Sequence, residues 1–140
     1  MLESLRHTIR VLRQSSGATQ AEILMLKMRF PAFPGIVSDL MLEATELELS
    51  YGGRYLRLYG PLGCMEMDEA YGISTAIPNA ITIGDNGGGE AIVIVNNAVY
   101  RVSYSALDSG ELAYVAESME DLLFFAIPKP GSIGACLAES

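Results

Sequence analysis

Ala80-Ile81-Thr82-Ile83-Gly84-Asp85-Asn86-Gly87-Gly88-Gly89-Glu90-Ala91-Ile92-Val93-Ile94-Val95-Asn96-Asn97-Ala98-Val99-Tyr100-Arg101-Val102-Ser103-Tyr104 is the stretch that decides the fold. Ala80 to Ile83 reads as a short strand. Gly84 to Gly89 reads as a turn, because glycine takes positive φ, or lets another backbone come close, without a Cβ clash. Ala91 to Val95 is apolar at every position, which fits a central strand buried on both faces. Asn96-Asn97 then makes a tight turn into the strand Val99 to Tyr104.

Outward from this block, the hydrophobic period assigns the rest of the chain. Downstream, the loop Asp108-Ser109-Gly110 leads to a strand at Leu112-Ala113-Tyr114-Val115. A last helix starts at Ser118, where Ser118-Met119-Glu120-Asp121 resembles a capping box. Leu122, Leu123 and Phe125 form its apolar side, and Pro128 and Pro130 end it, leaving residues 127–140 as a tail. Upstream, Glu46, Glu48 and Ser50 alternate with Leu47, Leu49 and Tyr51. After Gly52-Gly53, a second run covers Tyr55 to Tyr59, so the pair reads as a β-hairpin. Pro61-Leu62-Gly63 ends it, and residues 64–76 read as an irregular segment.

The first third reads as helical. Leu2, Leu5, Ile9 and Leu12 have helical spacing, which predicts a helix over 2–14 with Arg6, Arg10 and Arg13 on one exposed face and His7 solvated. Ser15-Ser16-Gly17 ends it. Thr19-Gln20-Ala21-Glu22 predicts the capped start of a second helix, which Pro31 stops. Pro34-Gly35 opens a third, with Ile36 and Leu40 inward. The fold class is therefore α+β: a single domain with a mostly antiparallel mixed sheet, flanked by N-terminal helices and one C-terminal helix. Residues 1–17 read as a helical extension to a domain spanning 18–126.

Composition limits the function. The 140 residues are half hydrophobic, too apolar for a disordered chain. Net charge is −8, and it is unevenly spread. Residues 1–60 hold seven Lys and Arg against six Asp and Glu; residues 61–140 hold two against eleven. An acidic chain is a poor partner for nucleic acid or anionic lipid, so neither is expected. Cys64 and Cys136 fit neither a disulfide framework nor a zinc site and read as free thiols. No signal-peptide-like start and no membrane-length apolar run occurs, so the chain reads as soluble and cytoplasmic.

Three features invite chemistry. The glycine turn lacks the Gly-Lys-Ser/Thr ending of a phosphate loop, and a strand follows it where a helix should. As a calcium loop through Asp85, Asn86 and Glu90 it lacks alternating oxygen ligands and a distal glutamate. It reads instead as a strand connection that is free to touch a partner. Glu66, Asp68 and Glu69 read as a solvated acidic patch in a loop rather than a glycosidase pair. Gly131-Ser132-Ile133-Gly134 has no paired histidine. The tyrosines read mostly as packing residues, an exposed subset of which could anchor a partner.

Ile77 to Ile92, with its Gly-Asp-Asn-Gly-Gly-Gly turn, resembles the central signature of the SUKH superfamily, which includes bacterial immunity proteins and a fungal cell-wall assembly regulator. Tyr100-Arg101-Val102 is similar to its Tyr-x-Val strand. Val115 to Leu123 is similar to the start of its last helix, Ala18 to Ile23 to its opening helix, and Tyr51-Gly52-Gly53 to a glycine pair after its second helix. The resemblance spans roughly 18–126. It implies an α+β domain with a mixed sheet flanked by helices, with no catalytic residue and no cofactor. It implies a protein-binding role, as an immunity protein that neutralises a cognate toxin. A nuclease with a basic surface would suit the acidic half of the chain. The alternative is an intracellular scaffold or regulatory module on the same fold. The candidate binding residues are Glu66, Asp68, Glu69, Tyr71, Asp85 and Glu90. Metal ligands are not among the expectations.

Overall fold

The computed structural model describes residues 1–124. Phe125, Pro128, Pro130, the Gly131–Gly134 segment, Cys136 and the 127–140 tail lie outside the described residues. The element order is β1 (Ile9–Ser16), α1 (Gln20–Arg29), α2 (Gly35–Glu43), β2 (Ala44–Tyr51), β3 (Arg54–Leu58), α3 (Pro61–Tyr71), α4 (Ile73–Ala76), β4 (Ile81–Asp85), β5 (Glu90–Val95), β6 (Ala98–Ser103), β7 (Ala113–Ala116) and α5 (Met119–Leu123). The strands form one sheet in the order β1-β2-β3-β4-β5-β6-β7. Each pairing is antiparallel. Strand order follows chain order, so neighbours join by hairpins or short helical links, as the α+β reading expects.

Local chemistry explains the elements. Thr19 caps α1 with a full capping box: its hydroxyl accepts from the Glu22 amide at 3.1 Å, and Glu22 accepts from the Thr19 amide at 2.9 Å. Ser118 caps α5 by accepting from the Asp121 amide at 3.1 Å. Gly52-Gly53 and Asn96-Asn97 all have positive φ, the requirement of a two-residue hairpin turn between twisted strands.

The burial of β5 matches its sequence. Ile92 and Ile94 belong to one apolar cluster, with Leu26, Leu40, Leu47, Leu49, Leu56 and Leu123. Ala91 and Val93 belong to a second, with Ile73, Ile77, Ala80 and Val102. Alternate β5 side chains thus feed cores on opposite faces of the sheet. The first cluster carries residues of α1, α2, α3 and α5; the second carries Ile73 of α4 and the link that follows it.

Two expectations are corrected. Residues 2–14 are not a helix. Leu2–Ser4 is a single 3-10 turn, and Ile9–Ser16 is the edge strand of the sheet. β1 pairs with β2 from Ile9 opposite Tyr51 to Ser16 opposite Ala44. Only Ile9 of this strand is buried, so its sequence never had to alternate, and chance 3–4 spacing imitated a helix. Arg6, Arg10 and Arg13 therefore share no helix face, and Arg6 is buried. The segment expected as an extension is part of the sheet. Second, residues 61–71 form α3 rather than an irregular segment. Pro61 does not merely end the hairpin; it occupies the first turn of this helix, where its missing N–H costs nothing.

Candidate protein-binding surface

The candidate residues fall into three environments. On α3, Glu66 and Glu69 are exposed, one turn apart, in line with Leu62. Asp68 points the other way and is 2% exposed. It pairs with Arg29 of α1 at 2.9 Å and accepts the amide and hydroxyl of Ser74, each at 2.8 Å. Helical spacing turns 68 away from 66 and 69, so Asp68 cannot offer its carboxylate to a partner. The expectation of a three-carboxylate patch is corrected to two.

Arg29 and Asp68 lie near the C-terminal ends of α1 and α3, while Glu22 and Leu62, near the N-terminal ends, line one cleft. The helices therefore run side by side in the same direction. The outward face of α1 carries Leu24, Met25 and Met28, the last 74% exposed. The neighbouring helix α3 carries its own exposed stripe, Leu62, Glu66 and Glu69, on the side turned away from the Arg29–Asp68 pair.

Asp85 ends β4 on the sheet face of the second core, opposite Arg57 and Ala91. The Tyr59 hydroxyl donates to Asp85 Oδ2 at 2.6 Å. The Tyr104 hydroxyl lies 3.0 Å from that of Tyr59 and, with the Tyr59 proton committed to Asp85, is the donor of that bond. The Tyr104 ring packs against Tyr71 with centroids 4.5 Å apart. A continuous chain therefore joins Asp85, Tyr59, Tyr104 and Tyr71, the last 49% exposed at the end of α3. Arg57 lies over the Tyr59 ring at 5.6 Å and bonds Glu46 at 2.7 Å. Burial, then the bond to Asp85, raises the Tyr59 hydroxyl well above the ordinary phenol range. Burial, then the bond to Glu48, pushes Tyr55 up to about 12. These phenols stay protonated donors at neutral pH.

Glu90 occupies the other face of the sheet. It is adjacent to Ala91, which pairs with Asp85, so alternation sends it to the opposite side. There it accepts from Asn86 at 2.8 Å and lies 3.6 Å from the Arg101 Nε. The structure brings Asp85 and Tyr71 together and separates Glu90 from both.

The glycine turn is a structural connection. Gly87 and Gly89 have positive φ, and a Cβ on Gly84 would collide with the Arg57 carbonyl. Two of its amides are already engaged: Gly87 donates to Asp85 at 2.9 Å, and Gly88 to Asn86 at 3.0 Å. They do not form an open cradle for a phosphate. Among the described residues, no three His, Cys, Asp or Glu side chains converge on a point that could hold a metal. Cys64 is buried in α3, which raises its thiol pKa and leaves a poor nucleophile. No helix among the described residues is long and apolar enough to cross a membrane. His7 is exposed.

The residues that sequence reasoning missed are Tyr59, Tyr104 and Arg57. The signal lay in the alternation of Tyr55-Arg57-Tyr59, which puts all three on one strand face. No protein-family model and no curated protein matches the chain.

Proposed function

We propose that this chain is a non-enzymatic, SUKH-like protein-binding domain, a cytoplasmic immunity protein that neutralises a toxin domain with a basic surface, such as a nuclease. The observation that carries the reading is the α1–α3 face. Leu24, Met25 and Met28 offer exposed apolar anchors on α1, and on the neighbouring α3 Glu66 and Glu69 offer exposed carboxylates free of intramolecular partners among the described residues. Apolar contacts with a charged margin are the anatomy of a specific interface. Methionine adapts to irregular partner surfaces. Tyr71, half exposed and backed by Tyr104, adds a rigid aromatic anchor at the end of the acidic stripe. Carboxylates facing a basic toxin speed encounter and fix register.

The test is to search the genes beside this one for a toxin domain and co-express any found with this chain, with survival as the readout. Protection by the native chain, lost in Glu66→Lys/Glu69→Lys/Tyr71→Ala, supports the reading. A fully protective triple variant removes this face from the account. No protection by the native chain favours the scaffold alternative.

A further inference from the structure

A second site lies on the opposite face of the sheet, where Glu90 rather than Asp85 points. A pocket of about 200 Å³ opens there between β2, β3, β5, β6, β7 and α5. Leu56, Ile92, Val115 and Leu122 give it an apolar wall, and Arg54 and Arg101 stand at it with Tyr51. Arg6 lies close behind. It sits three residues before Ile9, the strand partner of Tyr51, and its amide donates to the Leu123 carbonyl at 2.9 Å, next to the wall residue Leu122. The charges of Arg54, Arg6 and Arg101 all act on the Tyr51 hydroxyl, opposing the upward shift that burial gives it.

Among the described residues, Arg6 and Arg54 have no counterion, and Arg101 has only a long one. Arg6 is 6% exposed, yet its Nε has no hydrogen-bond partner, and no described carboxylate lies within ion-pair distance of it. The Arg101 Nε is also buried without a hydrogen bond; its nearest carboxylate, Glu90, is 3.6 Å away and is held by Asn86. Arg54 has no ion pair among the described residues. Three positive charges thus face one carboxylate, in a chain of net charge −8. An unpaired buried guanidinium costs several kcal/mol of desolvation unless an anion compensates it. Guanidinium donors match carboxylate and phosphate oxygens in geometry.

We propose that this pocket binds a small organic anion, its carboxylate or phosphate head on Arg54 and Arg101, with the buried charge of Arg6 behind them, and its apolar body against Leu56, Ile92, Val115 and Leu122. The volume suits a ligand smaller than a nucleotide. The site faces away from Asp85 and its tyrosines and does not depend on the toxin-binding reading.

Calorimetric titration of the full chain with benzoate, phenyl phosphate, inorganic phosphate and neutral benzyl alcohol tests it. Saturable binding of benzoate, phenyl phosphate or both is expected, tighter than for inorganic phosphate and absent for benzyl alcohol. The preferred head group tells carboxylate from phosphate. Arg54→Gln, at an exposed turn-edge position that leaves the fold intact, weakens binding about tenfold to a hundredfold, and Arg101→Gln does the same. Three results overturn the proposal: no saturable binding of either aromatic anion at millimolar concentration, equal binding of benzyl alcohol, or anion binding that survives loss of both Arg54 and Arg101.

Discussion

Asp85 and Glu90 bracket one glycine turn yet point to opposite faces of the sheet: Asp85 accepts from Tyr59 at 2.6 Å, and Glu90 lies 3.6 Å from Arg101. Tyr59→Phe removes the donor to Asp85 and the acceptor for Tyr104. Tyr59 is only 4% exposed, so the loss falls on a buried bond to a charged group and costs about 1.5–3 kcal/mol. Glu90→Gln breaks a long, half-exposed pair and costs less than about 1 kcal/mol. Urea unfolding of both variants checks the contrast; equal losses would contradict the assignment of the two acids to different networks.

The acidic residues of α3 divide in the same way. Asp68→Ala leaves Arg29 and the Ser74 amide without their acceptor and destabilises by about 1–3 kcal/mol. Glu66→Lys and Glu69→Lys lie on the solvated side and change stability by about 0.5 kcal/mol or less. Thermal unfolding of the three variants distinguishes them, and a neutral Asp68→Ala would refute its structural role.

Gly84 is required for contact rather than for φ. A methyl there meets the Arg57 carbonyl at the β3–β4 junction, where only Arg57 with Asp85 and Leu58 with Gly84 are paired. Gly84→Ala therefore forces this short ladder apart and destabilises by about 1–3 kcal/mol. Gly88→Ala, at a position with ordinary φ and only a side-chain oxygen of Asn86 nearby, costs less. Paired denaturation curves measure the difference.

The tyrosine network sets a response to alkali. Tyr55, Tyr59 and Tyr104 are all raised, with burial as the leading cause. Unfolded tyrosines ionise near pH ~10, so above that pH the unfolded chain releases protons that the folded chain keeps. The stabilisation is complete below pH ~10 and is lost as pH rises through about 12, the folded value of Tyr55. Urea midpoints should fall across that window, and Tyr59→Phe should flatten the fall. A native protein whose tyrosines all titrate at the ordinary phenol value would contradict the network.

Much of the fold was legible because local signals agreed with the tertiary result. The all-apolar Ala91–Val95 run reads as a central strand because both its faces are covered, and the Thr19–Glu22 box is a purely local device. The failures come from tertiary context. β1 lies at the sheet edge and is exposed on both faces beyond Ile9, so nothing selected a period of two, and Leu2, Leu5, Ile9 and Leu12 imitated a helix. In α3, glycine and proline near the start masked a helix held in place by the inward Asp68–Arg29 pair. At the candidate surface, Glu66, Glu69 and Tyr71 are accessible as expected. The Asp85–Tyr59–Tyr104 link and the pocket arginines join residues 26 to 95 positions apart, which no local pattern reveals.

The central claim is that the α1–α3 face binds a basic toxin domain. The decisive measurement is the association rate of the purified chain with a toxin domain found beside its gene, taken as a function of salt concentration. Rapid association that slows steeply as salt rises is expected, with a drop of about tenfold or more in Glu66→Lys/Glu69→Lys at low salt and the fold intact. Absence of a complex, or an association rate indifferent to both salt and charge reversal, would contradict it.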